Sequence, residues 1–163
     1  MTDVYRELAN RIRGELPDIE ASLRKAEKSW GLAKEVESDP DAFLDSVALN
    51  MHAFYSGLER LFELIARHVD GFAPQSASWH REVLYQMAKD LTELRPAVIS
   101  AETAKKLDQC RRFRHLVRNL YTMSLEAEKI SGLVESLDEF WPRLYEELTA
   151  FSRFLESVSS KSA

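Results

Sequence analysis

Apolar residues recur every three to four positions along almost the whole of this chain, and that period is the feature that most limits its fold. Val4, Leu8 and Ile12 repeat at i+4, and Ile19, Leu23, Ala26 and Trp30 continue the stripe. A spacing near 3.6 puts such residues on one face of an α-helix, whereas a half-buried strand needs strict alternation. Long β-branched alternating runs are missing and only five glycines are present, so the expected fold class is all-α, an up-and-down bundle of four to five helices with no sheet. At 163 residues the chain is long enough for one domain with a real core. We expect that domain over residues 1–158 and a disordered tail over 159–163.

The expected helices follow from the stripes and from proline. Helix 1 covers about 2–34 and meets Pro17, whose missing N–H and ring clash cost about 3 kcal/mol in a helix interior, so a kink or a break is predicted there. Asp39 is expected as the N-cap of helix 2, with Pro40 at its first helical position. Helix 2 runs to about Val69 and carries Phe43, Val47, Met51, Phe54, Leu58, Leu61, Phe62 and Ile65, which marks it as the central core helix. Gly71 reads as a C-cap and Ser78 as the N-cap of a helix over 79–94. Pro96 ends that helix, and Ser100 with Glu102 starts a fourth one that runs to about Met123. A last helix over 125–158, kinked at Pro142, carries Leu133, Leu137, Phe140, Leu144, Leu148, Phe151 and Leu155.

The net charge of −5 opposes generic nucleic-acid binding, which relies on neutralising phosphates. Charge is nevertheless uneven. Residues 105–118 hold Lys105, Lys106, Arg111, Arg112, Arg114 and Arg118 against the single acid Asp108, so any polyanion is expected at that element. Cys110 is the only cysteine; it excludes an internal disulfide and shares a helical face with Phe113 and Val117, which makes it a core residue. No uncharged run approaches the ~18 residues of a membrane span, and a soluble, cytoplasmic protein is expected. His52, His68, His80 and His115 lack the pairing that helical metal sites use, and neither a phosphate-binding glycine loop nor a nucleophile elbow is present. No metal and no cofactor are expected.

Within the fourth helix, Arg111, Arg114, His115 and Arg118 fall at i, i+3, i+4 and i+7 and share one face, while Phe113, Leu116, Val117 and Leu120 form another. Such cations repel by about 1 kcal/mol per pair at 4 Å in water-like surroundings. An anion or acidic partner is expected to offset that repulsion.

Three segments carry a resemblance to a known family: F-Y-S-G-L-E-R-L-F-E-L-I-A-R-H-V-D-G-F-A-P at 54–74, W-H-R-E-V-L-Y-Q-M at 79–87 and F-R-H-L-V-R-N-L-Y at 113–121. In order and spacing the chain resembles, over about 40–155, the HepT-like group of HEPN proteins from prokaryotic toxin–antitoxin pairs. The resemblance implies a helical bundle that forms a homodimer, with the basic helices of two subunits meeting at a cleft. It also implies a metal-independent endoribonuclease that uses an Arg and a His with four to six residues between them. In that chemistry His transfers a proton and Arg holds the scissile phosphate, with the ribose 2′-hydroxyl as nucleophile.

The chain departs from the family pattern at one decisive position. Arg114 matches the family Arg, but Asn119 stands where the His is expected, and none of the four histidines has an Arg five to seven residues ahead of it. Asparagine cannot shuttle a proton. The resemblance therefore implies a rearranged site in which Arg114 and Arg118 bind phosphate, His115 transfers protons, Asn119 positions the substrate, and Arg111 and Arg112 add RNA contacts. It further implies a minimal nucleotidyltransferase antitoxin as partner, with Tyr121 as the acceptor of AMP. The alternative is a catalytically inactive module that holds RNA, a nucleotide or that partner through the same face.

Overall fold

The computed structural model describes residues 2–118 and 127–161, with side chains over 3–113 and 131–161. Five α-helices are present among these residues: α1 Thr2–Glu35, α2 Asp41–Ile65, α3 Trp79–Met87, α4 Ala101–Arg118 and α5 Ala127–Lys161. The described fold is all-α, and its only β-type pairing is an isolated bridge between Leu91 and Arg95.

α2 is the centre of the molecule. It packs along α1 and touches α3 and α4, while α1 also lies along α5. Val47, Met51, Phe54, Leu58, Leu61, Phe62 and Ile65 are all buried, joined by Ile12, Leu16 and Leu23 of α1 and by Leu144, Leu148 and Leu155 of α5. The approach of α1 is close enough to require Gly57, since a Cβ there would stand 2.8 Å from Ile19 Cγ1.

Neither proline breaks its helix: α1 runs through Pro17 and α5 through Pro142. Both prolines are exposed, so backbone groups freed near them are open to water, and the apolar stripes on the opposite side keep their neighbours. Long-range packing outweighs a local cost of about 3 kcal/mol.

Other boundaries move for identifiable reasons. The N-cap position of α2 is Pro40 (φ −79°, ψ 2°) rather than Asp39, which takes a left-handed φ of 55°. α2 passes into one π-helical turn, Ala66–Asp70, closed by Gly71 at φ 76° with the Gly71 N–H bonded to the Ala66 carbonyl. Gly71 is thus the C-cap its type suggests. α3 stops at Met87, seven residues short of the predicted 94, because the Met87 carbonyl accepts from Val98 N–H (2.8 Å) and Ile99 N–H (3.3 Å). α5 extends to Lys161 with Ser159 buried, so the stretch predicted as a disordered tail is helical that far; residues 162 and 163 lie outside the described residues.

The loop after α3 is fixed by a buried ion pair. Arg95 forks onto Asp70 through Nε (2.5 Å to Oδ1) and NH2 (2.8 Å to Oδ2), and both side chains are almost fully enclosed. Its remaining donors reach the carbonyls of Lys89 (2.9 Å), Pro96 (3.0 Å) and Gln86 (3.1 Å). A planar guanidinium with every donor bonded ties the end of the π turn to the chain that leads into α4.

Candidate functional site

The start of α4 is anchored on three sides. Ser100 Oγ accepts the Thr103 N–H (3.1 Å), an N-cap bond of the predicted kind. Glu147 of α5 accepts the Ser100 N–H (3.1 Å) and the Thr103 hydroxyl (2.8 Å), so a carboxylate sits on the positive end of the helix. Arg143 joins α5 to Glu102 at 2.6 Å, and that carboxylate holds the Arg143 pKa above its ordinary value. Thr103, Ala104, Leu107, Cys110 and Phe113 are buried and set the rotation of the helix. Cys110 is thus a core residue, as its phase predicts.

That rotation leaves the cations of α4 in unequal surroundings. Lys105 and Arg112 are exposed, and Lys106 donates to Ser136 Oγ at 3.3 Å. Asp108 is buried and engages two arginines at once, Arg111 Nε at 2.7 Å and Arg112 NH2 at 2.9 Å. The side chain of Arg111 retains only 21% of its exposure against 68% for Arg112. The expectation that the crowded cations need an outside anion is corrected here for one of them, Arg111, since the acid one helical turn earlier supplies it and binds Arg112 as well. The i−3 and i−4 spacing from Asp108 is visible in the sequence and is the signal that points to this clamp.

Arg114, His115 and Arg118 lie on the last turns of α4, as the helical phase requires. Their side chains are outside the described residues, and Asn119 and Tyr121 are outside them altogether. The structure thus gives the backbone that carries the predicted face and the detailed setting of Arg111 and Arg112.

A second pair of titratable groups is absent from the sequence reading. His80 Nδ1 lies 2.7 Å from Oε2 of Glu59, which is buried on α2, and the His80 ring stacks on Trp79 at 3.7 Å between centroids. The pairing joins the first two segments that carry the family resemblance. Among the described residues, no three His, Cys, Asp or Glu side chains are gathered as metal ligands. No described helix is long and apolar enough to cross a membrane.

The family model described as HepT-like protein matches residues 46–155. The chain belongs to the HepT-like family. The matched span opens within α2, takes in α3 and all of α4, and ends at Leu155 of α5. It therefore includes the Glu59–His80 pair, the Arg95–Asp70 fork and the basic helix of this HepT-like chain. α1 lies outside the match, yet it supplies Leu8, Ile12, Leu16 and Leu23 to the core. No curated protein and no solved structure matches the chain.

Proposed function

We propose that this HepT-like chain is the toxin-side component of a prokaryotic toxin–antitoxin pair, a metal-independent endoribonuclease whose site is completed by a second copy across a twofold axis. The observation that carries the reading is family membership over 46–155, and the concentration of arginine on α4 agrees with it. In this reading Arg114 and Arg118 hold the scissile phosphate and its developing charge, and His115 moves the proton of the 2′-hydroxyl. Asn119 orients the strand by hydrogen bonding. Arg111 and Arg112, already neutralised in part by Asp108, extend the grip along the backbone. The partner is a minimal nucleotidyltransferase, and AMP placed on Tyr121 would add negative charge beside the arginines and compete with RNA.

A specific observation favours a second reading. Asn119 occupies the position of the family His, so the same face serves equally as a noncatalytic module that binds RNA or the nucleotidyltransferase. RNA incubated with the purified chain in the presence of chelator separates the two. The enzyme reading expects cleavage that is lost in His115→Ala and in Arg114→Ala. Binding without any product assigns the module, and neither binding nor cleavage removes the enzyme and the RNA-binding module together.

A further inference from the structure

On the side of α3 that faces away from the core, an open groove of about 770 Å³ runs between the 70–78 turn and the loop after Met87. Its volume falls within the roughly 300–1,000 Å³ typical of small-ligand sites. Two aromatic rings line it, Phe72 and Tyr85, together with two cations, Arg81 and Lys89. Phe72 is 66% exposed, so its ring is open to a ligand.

The charges of the groove are not balanced. Asp70 is neutralised in the Arg95 fork, whereas Glu82, which accepts the Ser76 hydroxyl at 2.7 Å, keeps its charge, so Arg81 and Lys89 leave the groove with an excess of one positive charge. Arg81 and Lys89 have no carboxylate within ion-pair distance among the described residues, and the Arg81 guanidinium lies 5.6 Å from the Tyr85 ring centre. The groove is also built in advance. Phe72 N–H bonds to the Ala66 carbonyl (3.0 Å), the Phe72 carbonyl accepts from Gln86 Nε2 (3.0 Å), and Gln86 Nε2 also bonds to Asp70 (2.7 Å). The exposed ring therefore stands on a backbone that is pinned to the buried ion pair beneath it.

Flat apolar faces beside unpaired cations are complementary to a flat ring that carries an anionic group. We infer that this groove binds a nucleoside phosphate, with the base against the exposed Phe72 ring and the phosphate at Lys89 and at Arg81, which lies over the Tyr85 ring. Stacking on aromatic side chains tolerates any base, and the cations add the backbone charge. A free nucleotide and a segment of an RNA strand present the same chemistry. The site is separate from the α4 face and does not depend on catalysis there.

Calorimetric titration of the full chain with AMP and, separately, with a short oligoadenylate tests the assignment. Phe72→Ala, at an exposed position, is expected to weaken binding by roughly tenfold through the loss of stacking, and the double variant R81E/K89E to abolish it. Lys25→Glu, at an exposed cation of α1 outside both the groove and the α4 face, is expected to leave AMP binding unchanged. Binding of AMP as tight as that of the oligomer assigns a free nucleotide as the natural ligand; binding of the oligomer alone assigns a strand where Phe72→Ala and R81E/K89E weaken it, and oligomer binding that neither variant changes belongs to the α4 face and overturns the inference. The inference is overturned if neither ligand binds, if both groove variants bind AMP like the wild type, or if inorganic phosphate binds as well as AMP. No cleavage is read, so failure of the α4 nuclease reading leaves each of these outcomes intact.

Discussion

Ile19 Cγ1 comes within 2.8 Å of where a side-chain carbon on Gly57 would stand, and that approach sets how near α1 can lie to the central helix. Gly57→Val is therefore expected to cost about 1–3 kcal/mol by overpacking, read as a lower urea midpoint with an unchanged slope. Arg95 is the costlier position. Arg95→Met would leave Asp70 as a buried charge with no counterion, and the expected loss is about 3–5 kcal/mol. Arg95→Lys is expected to fail as well, since a single ammonium cannot make both bonds to Asp70 and also reach the carbonyls of Gln86, Lys89 and Pro96. Neither role can be read from the sequence: Gly57 sits inside an ordinary helical stripe, and Arg95 is a lone arginine before a proline. Asp108 was within reach, because its spacing to Arg111 and Arg112 is local.

Among the elements, the stripes of α1, α2 and α5 were legible because each repeats over many turns, and the caps at Gly71 and Ser100 were legible because they depend on neighbours in sequence. The end of α3 was not, since bonds from Val98 and Ile99 to Met87 close it. At Pro17 only the option of a break is removed, because the local penalty is outweighed by packing along the whole helix. The interface of α1 with α5 carries its own prediction. Arg13 pairs with Glu156 and Arg24 with Asp138 across it, and each arginine holds its partner carboxyl below the ordinary range. A carboxylate lowered in the folded state contributes stability that is complete above its unfolded value and lost as pH falls through the folded one. Burial pushes the Glu27 carboxyl up, so Glu27 acts in the opposite sense and offsets part of that loss. Between pH 6 and pH 3 the wild type is expected to lose more thermal stability than an E156Q/D138N variant, and equal losses would contradict the role given to these pairs.

At the scale of the whole molecule, the fold and the family were both readable from the sequence, because helical period and the three motif segments survive without any knowledge of tertiary packing. The site was readable only as a face. Phase placed Arg111 with Arg114, His115 and Arg118, but the burial of Asp108 depends on what packs against α4, and the groove beside Phe72 on how the 70–78 turn and the loop after Met87 flank α3. The proposed function therefore rests on α4 as a phosphate-binding surface, the role of gripping the backbone being assigned in that proposal to Arg114 and Arg118. Single-stranded RNA affinity measured against salt concentration tests this most directly, comparing the wild type with an R114A/R118A variant. The logarithmic slope of the variant is expected to be shallower by roughly 0.7 for each phosphate that it no longer neutralises. Equal slopes and equal affinities would contradict the proposal.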